Sequence, residues 1–339
     1  MQEDDGAFGS EMCVGFVPSR FRDSVPFMLV EELNRMWFAL AIAAAVCFGI
    51  RGIFYHWSSQ QGMNRNLMLS GVFAAGLFVC LALNATLSQP WNDRVLYGLL
   101  MGLFSFAANA AMYKGFATGK ASSVALLIAL PAVPVVLLAY LLWGETLTAG
   151  QWAAFLIIVT GVALVRFTGD FSWQQREGMK WGLAAMLFFA FSDVTNKQAA
   201  VAGAAPFPML ALMFACGTAL FGGWWLREKF LRQRAFSGGT ETAPQERAEA
   251  DGALIRAPWS EWKTFLWGVL AGLFNAAGMI FLFWAFESGI TGLVSAIISL
   301  NVVILLLYAR FVVKEPFKPQ ETAGLAISLA GVLVLHLVS

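Results

Sequence analysis

The sequence predicts an all-α integral membrane protein with ten transmembrane helices in two inverted five-helix repeats. Three observations support this prediction: an apolar composition, ten apolar stretches and an internal repeat. Hydrophobic residues make up 59% of the 339 residues, and the mean hydropathy is +0.68. Of the 43 charged side chains (22 basic and 21 acidic), 23 lie in 1–36 and 227–263, so that only 20 are spread over all the rest of the chain. A soluble fold would need charge over its whole surface.

Each apolar stretch predicts one membrane-spanning helix, because a helix needs about 20 apolar residues to cross the hydrocarbon layer. The predicted spans are 37–55, 67–83, 95–117, 122–143, 152–167, 181–200, 209–225, 265–286, 294–313 and 323–337. They give a polar N-terminal leader at 1–36, a first repeat at 37–167 and a second repeat at 181–338. Residues 227–263 are polar with little periodicity, and we predict that they form one long loop inside the second repeat.

The repeat is visible in the sequence itself. Three positions recur at a constant offset of 170 in the numbering: Gly98 and Gly268, Gly102 and Gly272, Glu145 and Glu315. Because five helices per copy is an odd number, the second copy enters the bilayer from the opposite side, and inverted repeats of this kind are common in secondary transporters. The paired glycines, one helical turn apart, predict close helix packing in spans three and eight. We expect both glutamates to be structural, for instance bonded to free amides at the start of the next helix.

Charged residues inside spans are candidates for function, because they usually face the bundle interior or water. Arg51, Asp193 and Lys197 meet this description. When Phe48 is matched with Phe191, Arg51 and Asp193 occupy nearly equivalent positions of the two repeats. They could form an ion pair or hold a zwitterionic or anionic substrate between them. The alternative is that Asp193 pairs with Lys197 one turn away, while Arg51 extends to an interface.

Polar amides and aromatic residues extend the candidate substrate site. We favour the cavity for Asn109 and Asn301, and helix–helix bonding for Asn196 and Asn275. Tyr113 and Trp284, with Phe283, could supply aromatic walls, although packing is the commoner role of aromatic residues in this Phe-rich chain. Pro131 and Pro134 interrupt span four and predict a kink, and the second copy has Asn301 and Ile304 there. We expect spans one, three, four, six, eight and nine to line the cavity.

Two segments carry a family resemblance: Gly-Phe-Ala-Thr-Gly-Lys-Ala-Ser-Ser-Val at 115–124 and Trp-Gly-Glu-Thr-Leu-Thr-Ala-Gly-Gln-Trp at 143–152, followed by Gly-Val at 161–162. A weaker version returns at 285–289, 314–316 and 331–332. The chain resembles the EamA-like branch of the drug/metabolite transporter superfamily over about 37–338. The resemblance implies ten helices, a central cavity and transport of small metabolites, often outward, without ATP hydrolysis. Small multidrug members couple to protons through a glutamate in their first helix, and this chain has Arg51 instead.

These observations limit the partners. The net charge of +1 argues against nucleic acid, and no catalytic set, metal-ligand spacing or phosphate-binding loop occurs, so we expect no cofactor and no enzyme activity. The expected partners are the lipid bilayer, a small-molecule substrate and, if transport is proton-coupled, a proton carried by Asp193. We predict an exporter of a small metabolite such as an amino acid, acting by alternating access as a monomer or homodimer in the bacterial plasma membrane. Multidrug efflux, nucleotide-sugar-type exchange and a non-transporting receptor or scaffold are the alternatives.

The orientation of the chain has two opposing indications. Odd-numbered connections carry 16 of the 22 basic residues and the termini with the even-numbered connections carry 4. Because basic residues concentrate in cytoplasmic loops, the count places both termini outside. The family resemblance implies cytoplasmic termini.

Overall fold

A computed structural model describes residues 27–59, 61–118, 121–166, 176–237, 259–314 and 319–338. Within these ranges the regular structure is helical. The α-helices are α1 (Phe27–Ser59), α2 (Arg65–Leu87), α3 (Tyr97–Thr118), α4 (Ala121–Ile128), α5 (Ala132–Trp143), α6 (Ala149–Arg166), α7 (Arg176–Val201), α8 (Pro206–Ser237), α9 (Glu261–Ser288), α10 (Thr291–Ile298), α11 (Asn301–Tyr308) and α12 (Pro319–Val338). A short 3-10 helix, Asp93–Leu96, precedes α3, and a π-helical turn, Ala309–Val313, follows α11.

These helices account for the ten predicted spans, with α4 and α5 forming the fourth and α10 and α11 the ninth. Eight spans in the described part of the chain are long and apolar enough to cross a membrane, and α6 is a shorter apolar helix. The remaining one, α7, is 26 residues long but carries Asp193 and Lys197 in its second half. This helix is therefore long enough to cross a membrane, but its polar residues lower its mean hydropathy.

Two predicted boundaries differ from the structure. The first helix begins at Phe27, so 27–36 of the predicted leader are helical. Likewise α8 continues to Ser237 and α9 begins at Glu261, so residues 227–237 and 261–263 of the predicted loop are helical. Residues 1–26 of the leader and 238–258 of the loop lie outside the described residues.

Both copies of the fourth helix are interrupted at the same place. The first breaks between Ile128 and Ala132, and the second breaks between Ile298 and Asn301, at the equivalent positions of the repeat. The proline that predicts the first break, Pro131, has no proline counterpart in the second copy. The break therefore belongs to the repeat, and the proline is not required for it.

The prediction for the repeated glycines is confirmed. A Cβ added at Gly98 would lie 2.0 Å from the carbonyl oxygen of Met209 in α8, and one added at Gly268 would lie 2.1 Å from that of Met68 in α2. Only glycine allows the two helix backbones in each pair to come so close. The corresponding helices of the two repeats thus pack in the same way against the other repeat.

The last helices of the two repeats, α6 and α12, also meet at glycines. A Cβ at Gly161 would lie 2.5 Å from the backbone nitrogen of Ser328, and one at Gly331 would lie 2.7 Å from a side-chain carbon of Ile158. The two contacts are reciprocal, because 161 corresponds to 331 and 158 corresponds to 328 in the repeat. At the start of α6, Thr148 and Gln151 exchange the two hydrogen bonds of a capping box.

The first helix of each repeat packs against the other repeat. α1 lies against α9, α10 and α11, while α7 lies against α3, α4 and α5. Two large hydrophobic cores result. One contains Phe48 and Phe286, and the other contains Phe73 and Phe214. This exchange of first helices brings residues of both repeats to the middle of the bundle.

Candidate functional site

A cavity of about 290 Å³ lies between the two repeats. The six spans predicted to line it all contribute, and α2 and α8 add one apolar side chain each. Both polar and apolar groups line its wall. The lining residues include Phe48, Arg51, Tyr55, Phe73, Ser105, Asn109, Met112, Ile128, Ala129, Pro131, Phe189, Ser192, Asp193, Asn196, Asn275, Met279, Leu282, Ser295, Ile298, Ser299 and Asn301.

Most of the lining consists of equivalent positions of the two repeats. Positions 105, 109, 112, 128, 129 and 131 have lining partners at 275, 279, 282, 298, 299 and 301, each at the repeat offset of 170. In α1 and α7, positions 48, 51 and 55 correspond to 189, 192 and 196, each at an offset of 141. Matching Phe48 with Phe191 is therefore wrong by two positions, because Phe189 is the phenylalanine that faces the cavity.

Arg51 contacts residues of α9 and of its own helix, α1. Its Nη1 donates a hydrogen bond to Oδ1 of Asn275, and its guanidinium lies 4.7 Å from the ring centre of Phe48 and 5.4 Å from that of Tyr55. Its Nε is buried without a hydrogen-bond partner in the described part of the protein. In the other repeat the equivalent contact joins the hydroxyl oxygens of Ser105 and Ser192 at 3.5 Å.

Asp193 lines the same cavity but does not pair with Arg51. Its Oδ2 accepts a hydrogen bond of 2.9 Å from the hydroxyl of Ser295. Among the ion pairs of the described residues, none includes Asp193. The predicted Arg51–Asp193 ion pair and the predicted Asp193–Lys197 pair are both wrong, since each cation has other partners. The cavity therefore contains a cation and a carboxylate, and each of them is hydrogen-bonded to a different residue.

Lys197, predicted to be in the site, lies outside the cavity lining. Its Nζ donates to the carbonyl oxygens of Phe286 at 2.7 Å and Gly289 at 2.9 Å, and lies 3.4 Å from Oε1 of Glu145. Glu145 in turn accepts bonds from the amide and hydroxyl of Thr291 at 2.8 and 2.9 Å. The reason is positional, because one helical turn beyond Asp193 the side chain reaches the turn between α9 and α10.

This cluster, which we term the Lys197–Glu145 clasp, comprises Lys197, Glu145, Thr291 and the carbonyls of Phe286 and Gly289. It lies where α5, α7 and α9 end, and it joins the first repeat to the second. The Lys197 side chain is 9% exposed and that of Glu145 20%. Glu145 is structural as expected, but it bonds to the start of α10 rather than of α6. Glu315 lies outside the described residues.

The four amides agree with their predicted roles only in part. All four line the cavity, including Asn196 and Asn275, for which helix–helix bonding is the prediction. Asn109 donates to the carbonyl of Ser105 on its own helix at 2.7 Å. Asn196 is 1% exposed, and within the described structure neither its amide nitrogen nor its amide oxygen has a hydrogen-bond partner. Asn301 lies at the break after α10.

The three residues predicted as aromatic walls, Tyr113, Phe283 and Trp284, are absent from the lining, and Phe283 packs in the hydrophobic core that contains Phe73 and Phe214. Tyr113 packs under the guanidinium of Arg65, whose Cζ lies 3.4 Å from the ring centre, and Trp284 makes an edge contact with Phe207. Tyr113 is one turn from Asn109, so its ring points past the cavity to the start of α2. The aromatic walls come instead from Phe48, Tyr55, Phe73 and Phe189.

Sequence reasoning missed the serines Ser105, Ser192, Ser295 and Ser299. Serines are common in membrane helices, so a single one carries little signal. A usable signal is the repeat offset, because Asn275 and Asn301 are already candidates and their partners, Ser105 and Pro131, line the cavity too. The counterpart of Ser295 is Ala125, so the repeat offset does not identify Ser295.

The described residues include no group of three His, Cys, Asp or Glu residues that could hold a metal ion. What the cavity offers is recognition: a guanidinium, a carboxylate, an unpaired amide and apolar surface. Such a mixture suits a small ligand with both charged and apolar parts.

Comparisons with known proteins agree with this architecture. The sequence profile of the EamA-like transporter family matches residues 35–167 and again 176–337. A solved structure titled only as a crystal structure of a protein has the same fold, with a TM-score of 0.67 and 15% identity, over 89% of this chain and 99% of the other. No curated protein matches the chain in a sequence search. The two matched segments are the two repeats, and the chain belongs to the EamA-like transporter family, a family of membrane transporters of the drug/metabolite type.

Proposed function

We propose that this protein exports a small amphipathic metabolite, with amino acids as the first candidates, across the bacterial plasma membrane by alternating access through the central cavity. The observation that carries the proposal is the presence of Arg51 and Asp193 in one cavity without an ion pair between them. A zwitterion can satisfy both, its carboxylate at Arg51 and its ammonium group at Asp193. Apolar lining residues such as Met279 and Leu282 suit an aliphatic or aromatic side chain.

The size of the cavity supports a metabolite over a drug. At about 290 Å³, it lies at the lower limit of the roughly 300–1,000 Å³ range of sites for drug-sized ligands. A nucleotide sugar carries two phosphates, and among the lining residues that the structure describes only Arg51 is cationic. Multidrug efflux and nucleotide-sugar-type exchange therefore have less support than amino acid transport.

Alternating access is supported by the Lys197–Glu145 clasp. The clasp ties the first repeat to the second at the end of the bundle where α5, α7 and α9 finish, one helical turn from Asp193 and from Ser295. We expect solute to leave through this end when the clasp opens. Closure at one end with a central binding site between inverted repeats is the arrangement that alternating access requires.

Counterflow in proteoliposomes tests the proposal. Liposomes containing the purified protein are loaded with one unlabelled amino acid at a time, and uptake of the labelled compound is followed. We expect counterflow for at least one apolar amino acid. Arg51→Gln should lower the apparent affinity by about 10- to 100-fold, because a hydrogen bond to a charged group contributes about 1.5–3 kcal/mol.

The matched control is Arg94→Gln, which removes an arginine that does not line the cavity and should leave counterflow unchanged. Counterflow of none of the amino acids would contradict the substrate class. Saturable binding without flux would favour a receptor or scaffold over a transporter. Equal loss in both arginine variants would show that the effect is not specific to the cavity.

A further inference from the structure

Two polar residues of the cavity stand outside the repeat symmetry. Asp193 corresponds to Gly52 (193 − 141), and Ser295 corresponds to Ala125 (295 − 170); neither counterpart lines the cavity. The hydroxyl of Ser295 donates to the carboxylate of Asp193 at 2.9 Å. This side-chain hydrogen bond has no equivalent in the first repeat, and it involves the acidic residue of the lining. Asp193 and Ser295 are therefore a polar pair that the second repeat has and the first repeat lacks.

The surroundings of Asp193 leave its negative charge without a cation. Arg51 donates to Asn275 and stacks between Phe48 and Tyr55, while Lys197 is held in the clasp. A carboxylate in an apolar setting is costly unless it is paired or accepts several hydrogen bonds. In the described structure Ser295 is the one side-chain donor to Asp193. A proton or an external cation is therefore needed to neutralise the negative charge of this carboxylate.

The other titratable groups around α7 do not supply that cation. α4 and α10, which pack against α7, have no titratable residue. The groups on the remaining neighbours and on α7 itself are Tyr97, Tyr113 and Lys114 on α3, Tyr140 on α5, Glu145 after α5, Glu261, Lys263 and Glu287 on α9, Arg176, Glu177, Lys180 and Lys197 on α7, and Arg51 and Tyr55 across the cavity. Lys114 lies over the ring of Trp181, and Lys180 pairs with Glu177.

A second observation points to a ligand at the same place. Asn196 follows Asp193 by three residues, so both lie on the same side of α7. Its amide is almost fully buried at the cavity wall, and in the described structure neither of its polar atoms has a protein partner. Its oxygen can accept a hydrogen bond from an ammonium group that contacts the carboxylate of Asp193.

We infer that Asp193, oriented by Ser295, holds a proton when the cavity is empty and exchanges it for the ammonium group of the transported solute. The inference rests on the proposed function, which supplies the solute. In the exchange the carboxylic acid loses its proton to water, and the resulting carboxylate forms an ion pair with the ammonium group. The ammonium group takes the place of the proton at Asp193, so binding of each solute molecule releases one proton. Transport by this route is an exchange of solute for protons.

Labelling with dicyclohexylcarbodiimide tests the proton site without any solute. This apolar reagent reacts with protonated carboxyl groups in a membrane interior and leaves an N-acylurea that mass spectrometry assigns to a residue. In the full-length protein in nanodiscs, we expect Asp193 to be labelled at neutral pH and labelling to fall as the pH rises. Ser295→Ala should move this fall to higher pH, because it removes the hydrogen bond that stabilises the carboxylate.

Competition by L-leucine tests the exchange. Leucine at tenfold its dissociation constant should lower Asp193 labelling by about tenfold, by simple mass action. Asp193→Asn should abolish the label at this position, and Glu287→Gln, which changes a carboxyl group outside the cavity lining, should leave the Asp193 signal unchanged.

The outcomes separate this inference from the proposed function. Lack of Asp193 labelling at neutral pH in protein that retains counterflow would overturn the proton site and leave transport standing. Equal labelling with and without leucine, in protein that exchanges leucine, would overturn the shared site. Labelling of Asp193 in protein that fails every counterflow assay would leave the carboxyl protonated but overturn the exchange, together with the proposed function.

Discussion

The close contact between α2 and α9 gives a sharp test of the packing. Gly268 in α9 faces the backbone of α2, and the Cβ of an alanine there would lie 2.1 Å from the carbonyl oxygen of Met68. Ordinary van der Waals contact begins at 3.4 Å. The two helices must therefore move apart by the difference between these two distances. The obstacle is backbone rather than a flexible side chain, so no rotamer change relieves it.

We expect Gly268→Ala to destabilise the protein by about 1–3 kcal/mol, the usual cost of overpacking a well-packed interface. Gly223→Ala is the matched control, because Gly223 is also a glycine inside a long helix, α8, and a Cβ there meets nothing within 4 Å. Alanine is the better helix former, so this variant should be more stable by about 0.5–1 kcal/mol. The two variants thus shift stability in opposite directions.

The measurement is unfolding of the purified protein in mixed micelles by increasing SDS, followed by far-ultraviolet circular dichroism. Wild type, Gly268→Ala and Gly223→Ala are compared at the same lipid and detergent ratio. If Gly268→Ala unfolds at the wild-type SDS fraction, or if both variants gain stability alike, the close approach of α2 and α9 is not present in the membrane protein and the reasoning fails.

Two further predictions concern charges away from the cavity. In the clasp, Lys197→Met and Glu145→Gln should each cost about 3 kcal/mol, because each leaves a largely buried charge without its partner, and the double variant should cost less than the sum; additive losses in the same SDS titration would show that the pair is not coupled. At the stacked pair of α2 and α3, Tyr113→Phe should keep the cation–π contact with Arg65, whereas Tyr113→Leu should lose about 0.5–2 kcal/mol; equal stability of the two variants would argue against the stacking.

Much of the fold could be predicted from the sequence because its signals are periodic and local. The apolar stretches indicate the ten spans, and the constant offset of the repeat indicates the packing of Gly98 and Gly268. Less local features escaped prediction. The break between α10 and α11 has no proline, so its only signal is the proline of the other repeat. The extension of α8 to Ser237 is polar, and polarity alone does not distinguish a solvated helix from a loop.

The candidate site shows the same division. Arg51, Asp193, Asn109, Asn301 and Pro131 could be found because charge, amides and proline are rare inside membrane spans, and each lines the cavity. Their partners could not be predicted, because which side chains meet depends on helix rotation. Matching the first helices of the repeats two positions out of register concealed the equivalent lining pairs, Arg51 with Ser192 and Tyr55 with Asn196. It did not create the expected Arg51–Asp193 pair, because Asp193 is one position from the counterpart of Arg51 in either register.

The contact between α6 and α12 also bears on how the two repeats stay together. Gly161 meets Ser328 while Gly331 meets Ile158, so the same patch is used twice, as in an isologous interface between identical subunits. The single chain thus retains the interface geometry of a symmetric dimer. Covalent linkage then acts mainly by raising the effective concentration of one half near the other. We therefore expect two separately produced halves to reassemble through this interface.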